Sequence, residues 1–176
     1  MAIVIRALDR KTDRAGCEAI DTGFETASVF DVVCTGHTID VVERVLPAPI
    51  VKRYDIDEVF EPWATWTHGW VAVEDGVIRG FATVEYEDWR QRQVLWFLYI
   101  APAYRRRGVG RALLAEVEQH GRGEGATHVW LETSTANVPG VAAYARLGYV
   151  LCGADRDYYG SYMPGESALF LAKPLA

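Results

Sequence analysis

The sequence predicts a mixed α/β domain of the α+β kind, with a mostly antiparallel central sheet, one parallel βαβ unit and flanking helices. The length of 176 residues is close to that of one average domain and allows a sizeable core. Residues 70–89 carry an Asp-Gly pair between two alternating apolar runs, which is typical of a β-hairpin. Residues 94–133 then give a strand, an amphipathic helix and a strand. Two strands joined in this way are parallel and take a right-handed crossover, so the sheet is mixed.

The N-terminal elements have weaker signals. We expect an opening strand at residues 3–5 and a capped helix start at Thr12-Asp13. Two further strands are predicted at residues 29–34 and 38–45, joined by a short turn. An irregular segment with three prolines follows, and it ends in three tryptophans at helical spacing, which most often marks a buried core stripe. These residues are Pro47, Pro49, Pro62, Trp63, Trp66 and Trp70.

The C-terminal elements are clearer. A nearly continuous apolar run predicts a strand buried on both faces. The next helix has apolar residues at i, i+3, i+4 and i+8, starting from Val109, and glycines end it. Asn137 is the N-cap of a second helix, which Gly148 ends. The predicted order is a strand at 94–101, the helix from 109, a strand at 128–133, a helix at 138–147, and closing strands at 150–152 and 168–172.

Composition excludes several classes of protein. Half of the residues are hydrophobic and 12% are aromatic, which excludes a disordered chain. No apolar run reaches the ~20 residues of a membrane span, and no secretion signal is visible. Cys17, Cys34 and Cys152 are odd in number and lack ligand spacing, so we expect buried, reduced thiols in a cytoplasmic protein without a zinc site. The net charge of −6 favours cationic partners over nucleic acid.

The segment from Arg105 to Arg111 carries the strongest chemical signal. It follows a buried strand, contains four arginines (positions 105, 106, 107 and 111), and opens a helix with Gly108 and Gly110. Free backbone N–H groups at a helix start bind anions, and arginine suits phosphate. Outside this segment 14 Lys+Arg face 24 Asp+Glu, since four of the 18 basic residues are used here. A solvated basic loop is the alternative. The dinucleotide and P-loop patterns both fail, which leaves a pyrophosphate held by a short loop.

Two motifs in order resemble the GNAT superfamily of N-acetyltransferases. One is Arg105-x-x-Gly108-x-Gly110, and the other runs from Asn137 through Tyr144 to Gly148-Tyr149. The resemblance implies one acetyltransferase domain over residues 1–176 with the GNAT fold, acetyl-CoA as co-substrate and no metal. It further implies cofactor contacts by Leu98, Ile100, Arg105, Arg106, Arg107, Gly108, Val109, Gly110, Arg111, Asn137 and Tyr144.

A narrower resemblance points to the streptothricin (nourseothricin) acetyltransferases, which confer antibiotic resistance. It is carried by residues 28–32, 130–133, 137–149, 151–159 and 166–169. It implies a small cationic amine as acceptor, with no nucleic acid or membrane partner, for a monomer or a homodimer. The alternatives are acetylation of a protein lysine, an N-terminus or a polyamine, and a non-catalytic acyl-CoA-binding module. A nucleic-acid patch is the least favoured hypothesis, because one short basic loop lacks interleaved aromatic residues.

The resemblance implies direct attack of the amine on the thioester in a ternary complex. Tyr144 matches the acid position, with helix packing as its alternative role. The oxyanion needs a backbone N–H, which we expect from residues 98–100. No carboxylate lies on that strand, so Glu132 is the favoured base, followed by Glu85 and Glu87, with ordered water as the further alternative. The residues expected at the acceptor are Glu85, Tyr99, Glu132 and Asp155, with the tryptophans near 63–70 as core or pocket wall.

Overall fold

The computed structural model describes residues 3–175 and confirms the predicted fold class, a mostly antiparallel sheet with one parallel pair and flanking helices. The chain divides into two compact units. The first unit comprises residues 1–23, 53–130 and 174–176, and the second comprises 24–52 and 131–173. The single domain predicted over residues 1–176 stays a prediction.

The strands and helices lie close to their predicted positions. They are β1 (Val4–Ala7), α1 (Arg14–Glu18), β2 (Phe24–Thr35), β3 (Thr38–Lys52), β4 (His68–Glu74), β5 (Val77–Glu87), β6 (Arg92–Ile100), α2 (Val109–Glu124), β7 (His128–Ser134), α3 (Val138–Arg146), β8 (Val150–Asp155) and β9 (Ala168–Pro174). Short 3-10 turns occupy Asp57–Phe60, Asp88–Arg90 and Pro102–Tyr104.

In the first unit, strands β1, β4, β5 and β6 pair antiparallel in that order. The turn between β4 and β5 is the predicted Asp-Gly pair, and both residues have positive φ, 53° at Asp75 and 76° at Gly76. Two positive φ angles are what a tight two-residue hairpin turn requires, because they match the strand twist. The hairpin prediction is therefore confirmed, and it places β5 beside β6, the strand that leads into the arginine-rich segment.

Helix α2 packs against β4, β5 and β6 with the apolar face that the sequence predicts. Val109, Leu113 and Val117 are buried in it. Gly125 ends the helix in the left-handed conformation, at φ 85°, where glycine has no Cβ penalty. The rest of the first unit's core holds Cys17, Ile20, Ile56, Val59, Ala64, Trp66, Val71 and Phe81.

Several packing predictions were wrong. The three tryptophans do not form a helical stripe, because residues 61–67 are not helical: Trp66 is buried, Trp63 is 54% exposed and Trp70 is part of a strand. Residues 96–100 of β6 are only partly buried, rather than covered on both faces. Cys17 is buried, and burial raises the pKa of its thiol to about 12. Two other cysteines, at positions 34 and 152, are exposed rather than buried.

In the second unit, β2 and β3 form a long antiparallel hairpin whose tip pairs Thr35 with Thr38. Both strands are longer than predicted, and β3 includes Pro47 and Pro49, which we expected in an irregular segment. The register explains how the strand tolerates them. Ser28 pairs with Val45 and Thr26 with Ile50, so the prolines lie where the ladder is interrupted and their missing N–H groups cost no ladder hydrogen bond.

The remaining strands of the second unit are β7, β9 and β8 in spatial order. Strands β8 and β9 are antiparallel, with Val150 opposite Ala172. The short helix α3 lies between β7 and β8 in sequence and begins after Asn137, as predicted. Gly148 follows the helix with φ 90°, which confirms it as the stop residue.

Candidate active site

The helix start at Gly108 in the first unit has the geometry of an anion site. Gly108 is the N-cap with φ 87°, no side chain caps the helix, and the carbonyl of Gly108 already accepts from Ala112 N at 3.0 Å. The next N–H groups have no partner within the helix, as at any helix N-terminus. A Cβ built on Gly108 meets nothing within 4 Å, so there is open space beside the N-cap. Gly110 has ordinary helical backbone, and its added Cβ meets only Ile100 Cγ1 at 3.9 Å.

The four arginines of this segment divide into one bound and three exposed side chains. The Arg105 guanidinium donates to the carbonyls of Gly23 at 2.7 Å, Ile100 at 3.1 Å and Asp21 at 3.2 Å. Burial lowers the pKa of this half-buried side chain. Arg105 thus fixes the loop to the end of β6 and to residues 21–23, and its predicted contact with phosphate stays a prediction. The exposed arginines are Arg106, Arg107 and Arg111.

Strand β6 leads into this loop and carries the predicted cofactor and acceptor contacts of the first unit. Leu98 pairs with Ala82 and Ile100 with Gly80 in β5. The Tyr99 ring lies between other aromatic rings, 5.6 Å from Phe81 and 6.3 Å from Phe97 between centroids. Tyr99 therefore has a packing role, and its predicted contact with the acceptor stays a prediction.

The carboxylates on β5 differ sharply, although the sequence treats them as equivalent. Glu87 accepts from Arg92 at 2.8 Å and from Arg90 at 2.9 Å. These partners, Arg92 first, lower the pKa of the Glu87 carboxyl, which makes it a weaker base. Within residues 3–175, the donors to Glu85 are both neutral, Trp96 Nε1 and Thr65 Oγ1.

In the second unit, Glu132 is the half-buried acid that the sequence singles out. Its carboxylate accepts from the Tyr159 hydroxyl. Burial raises the pKa of Glu132, and the hydrogen bond from Tyr159 opposes that shift. A carboxyl whose pKa is raised by desolvation accepts a proton more readily near neutral pH than an exposed one. Asp155, the other acid expected at the acceptor, is exposed and accepts from the backbone N–H of Asp157 at 2.9 Å.

Helix α3 begins with the cap that the sequence predicts. The Asn137 side chain accepts from Gly140 N at 3.1 Å and donates to Thr133 Oγ1 at 2.9 Å, so it joins the helix start to β7. A Cβ on Gly140 would lie 2.3 Å from Asn137 Nδ2, which explains the glycine there. Tyr144 lies in the middle of α3, with its ring 5.6 Å from Tyr149.

Sequence reasoning missed a second polar cluster that holds the end of β7. Glu166 accepts from the Lys52 ammonium and from the Ser134 hydroxyl. The Lys52 side chain is 24% exposed and that of Glu166 15%, so this ion pair is mostly buried. No local pattern could have revealed a pair separated by 114 residues. Tyr159 could have been singled out from the sequence, because it belongs to a motif that carries the family resemblance.

No helix within residues 3–175 is long and apolar enough to cross a membrane. The same residues hold no group of three or more His, Cys, Asp and Glu side chains that could bind a metal ion.

Comparisons with known proteins agree with this geometry. The profile of the Acetyltransferase (GNAT) family matches residues 40–149. The streptothricin acetyltransferase of Streptomyces lavendulae is 35% identical over 173 residues, which are 94% of this chain and 92% of that protein. The alanine N-acetyltransferase of ribosomal protein bS18 from Escherichia coli K12 is 32% identical over 82 residues, 47% of this chain and 55% of that protein.

Solved structures give the same result. Nourseothricin acetyltransferase superposes with a TM-score of 0.90 at 34% identity, over 100% of both chains. A Bacillus anthracis protein in complex with acetyl coenzyme A has a TM-score of 0.82 over 100% of both chains, and at 21% identity it shows the shared fold alone. The chain therefore belongs to the GNAT acetyltransferase family, and it is an acetyl-CoA-dependent N-acetyltransferase.

Proposed function

We propose that the acceptor is an amino group of a streptothricin-type antibiotic, a small polycationic amine. The observation that carries this proposal is the extent of similarity. The streptothricin acetyltransferase of Streptomyces lavendulae aligns with 94% of this chain, whereas the bS18-alanine acetyltransferase aligns with 47%. Charge supports the same acceptor, because the chain carries −6 overall and four of its 18 Lys+Arg residues lie within the loop, at positions 105, 106, 107 and 111.

The loop of the first unit is the proposed pyrophosphate site for acetyl-CoA. Backbone N–H groups of Val109, Gly110 and Arg111 would bind phosphate oxygens, since they lie in the first turn of α2, at the positive end of the helix dipole, with open space beside Gly108. Three exposed guanidinium groups add positive charge around them, those of Arg106, Arg107 and Arg111. Backbone groups at Leu98 and Ile100 are proposed to bind the pantetheine arm and the thioester oxygen.

Acetyl transfer then needs a base and an acid. The amine nitrogen attacks the thioester carbon, a carbon–nitrogen bond forms, and the carbon–sulfur bond breaks. The Glu132 carboxylate is proposed to take the proton from the amine, and the Tyr144 hydroxyl to give one to the departing thiolate. Exchange with solvent restores both groups. Asn137 is proposed to present the start of α3 to the cofactor, in addition to its capping role.

An acceptor panel tests the proposal. Thiol release from acetyl-CoA is measured with streptothricin, a linear polyamine and a peptide with an N-terminal alanine, each against a reaction without amine. We expect streptothricin to have the highest kcat/KM, and mass spectrometry to show a single acetylated product. Expression in a susceptible bacterium should raise its tolerance of the antibiotic. A higher kcat/KM for the peptide or the polyamine would overturn the proposed acceptor.

A further inference from the structure

An exposed tryptophan of the first unit lies beside the strand that leads to the cofactor loop. Trp63 is 54% exposed and follows the 3-10 turn Asp57–Phe60. Its ring centroid lies 6.5 Å from that of Trp96, with 46° between the planes. Aromatic faces attract cations, most strongly that of tryptophan, because the ring quadrupole places negative potential there.

Trp96 occupies a β-bulge. Phe97 pairs with Thr83 and Leu95 pairs with Val84, so Trp96 is the additional residue in β6. A bulge bends the strand and redirects the side chain of the extra residue. Here the Trp96 indole N–H reaches Glu85 Oε2 on the neighbouring strand at 3.0 Å.

Glu85 keeps an uncompensated negative charge. Its two donors, Trp96 Nε1 at 3.0 Å and Thr65 Oγ1 at 2.9 Å, are neutral, and both bind Oε2. No arginine or lysine within residues 3–175 forms an ion pair with it, whereas Glu87 has two arginine partners on the same strand. The second oxygen, Oε1, is thus left for a cation.

The same segment shows how a cation stacks on such a ring. The Arg10 guanidinium lies 3.9 Å from the centroid of the Trp66 ring and donates to the Ala64 carbonyl at 2.7 Å. Three residues earlier, Trp63 has no such partner: across the described part of the chain, no arginine or lysine lies over Trp63 or Trp96. The Trp66 ring is therefore covered by the protein's own Arg10 guanidinium, whereas no such group covers the Trp63 ring among the described residues.

We propose that Trp63, Trp96 and Glu85 bind a cationic group of the acceptor, an ammonium or a guanidinium other than the amine that reacts. This inference rests on the proposed function, because it needs an acceptor with more than one positive charge. Trp96 stands about 13 Å before Ile100 along β6, at about 3.3 Å per residue. The site and the cofactor loop are thus joined by one strand, so a bound cation would fix the acceptor relative to the loop.

The test compares steady-state constants of four variants with streptothricin as acceptor. We expect Trp63→Ala to raise the acceptor KM about tenfold and to leave the acetyl-CoA KM unchanged. The acceptor KM of Trp63→Phe should lie between those of the wild type and Trp63→Ala. Glu85→Gln keeps an oxygen for both donors, so it should raise the acceptor KM without loss of thermal stability. Trp89→Ala is the matched control, because Trp89 is 76% exposed and already bears the Arg90 guanidinium at 3.9 Å. Its constants should equal those of the wild type.

A second arm separates this inference from the proposed function. Linear monoamines and diamines of equal length are compared, and the wild type should prefer the diamine while Trp63→Ala and Glu85→Gln lose that preference. If streptothricin is acetylated but these variants keep the wild-type acceptor KM, the cation site is overturned and the proposed function stands. If streptothricin is not acetylated but the preference for the diamine depends on Trp63 and Glu85, the proposed acceptor is wrong and the proposed cation site stands.

Discussion

The loop at residues 105–111 and the last three residues of strand β7, 132–134, carry opposite charges and assemble them differently. The loop gathers its positive groups from consecutive residues, and its main donors are backbone N–H groups at a helix start. Strand β7 contributes Glu132, whose partner Tyr159 comes from 27 residues away. Nearby, Ser134 donates to Glu166, 32 residues away in sequence. The proposed anion site is local in sequence, and the proposed acidic site depends on the tertiary fold.

The two regions also differ in how charge is kept available. Around the loop, three arginines are exposed; Arg105 donates to three backbone carbonyls, and exposed Arg107 makes one long contact, 3.5 Å, with the Ala103 carbonyl. Glu132 instead is held by a neutral hydroxyl in a poorly solvated place. Solvated arginines suit a phosphate that is attracted from solution, whereas a desolvated carboxylate suits proton transfer.

The largest effect should come from removing the charge of Glu132. For Glu132→Gln we expect kcat to fall about 10²- to 10⁴-fold, the usual contribution of a positioned base, with little change in the acetyl-CoA KM. The same substitution should raise the stability of the fold at alkaline pH. Because burial raises the pKa of Glu132 in the folded state above its unfolded-state value, ionisation destabilises the fold at pH above the folded-state pKa; this cost shrinks as pH falls below that value and is gone once the unfolded-state carboxyl is protonated as well. Thermal melts should therefore show a gain for Glu132→Gln at pH 8 that shrinks in acid.

The control is Asp40→Asn, which removes the same charge from an exposed position in the same unit. It should leave both kcat and the melting temperature unchanged. Wild-type kcat in Glu132→Gln would mean that water takes the amine proton, and the base role would be lost.

The sequence predicts most of the fold because its elements depend on local rules, and the anion site at the loop stays a prediction. The apolar face of α2, the Asp75-Gly76 turn and the Asn137 cap each involve neighbouring residues, and each was predicted correctly, whereas the tryptophan spacing was misleading. The bulge at Trp96 was not predictable, because it depends on the register between two strands. Neither was the difference between Glu85 and Glu87, since an alternating pattern does not show which carboxylate an arginine reaches.

A smaller effect should separate the two glycines of the loop. Gly108 has φ 87°, a conformation that costs other residues about 1–2 kcal/mol, so Gly108→Ala should lose that much free energy of unfolding and raise the acetyl-CoA KM. Gly110→Ala is the matched control, because its backbone is helical and the added Cβ makes only an ordinary contact with Ile100 at 3.9 Å. Denaturant unfolding and acetyl-CoA titration measure both. An equal rise in the acetyl-CoA KM for the two variants would mean that binding depends on the absence of a side chain at these positions rather than on the backbone conformation of Gly108.

The smallest expected effect is a shift of the pH profile in Tyr159→Phe. The Tyr159 hydroxyl donates to Glu132 and so favours its ionised form, which lowers the pKa of that carboxyl against the opposing effect of burial. Without the hydroxyl the pKa rises further, and the acidic limb of kcat should move to higher pH, while kcat at alkaline pH stays close to the wild type. Deprotonation of the acceptor amine also affects the pH profile of kcat, but it affects the wild type and Tyr159→Phe equally, so the difference between the two profiles reports Glu132. In the Glu132→Gln background the same substitution should shift nothing, since no carboxyl remains to titrate. A shift that persists there would assign the limb to another group, and β7 would then lose the property that sets it apart from the loop.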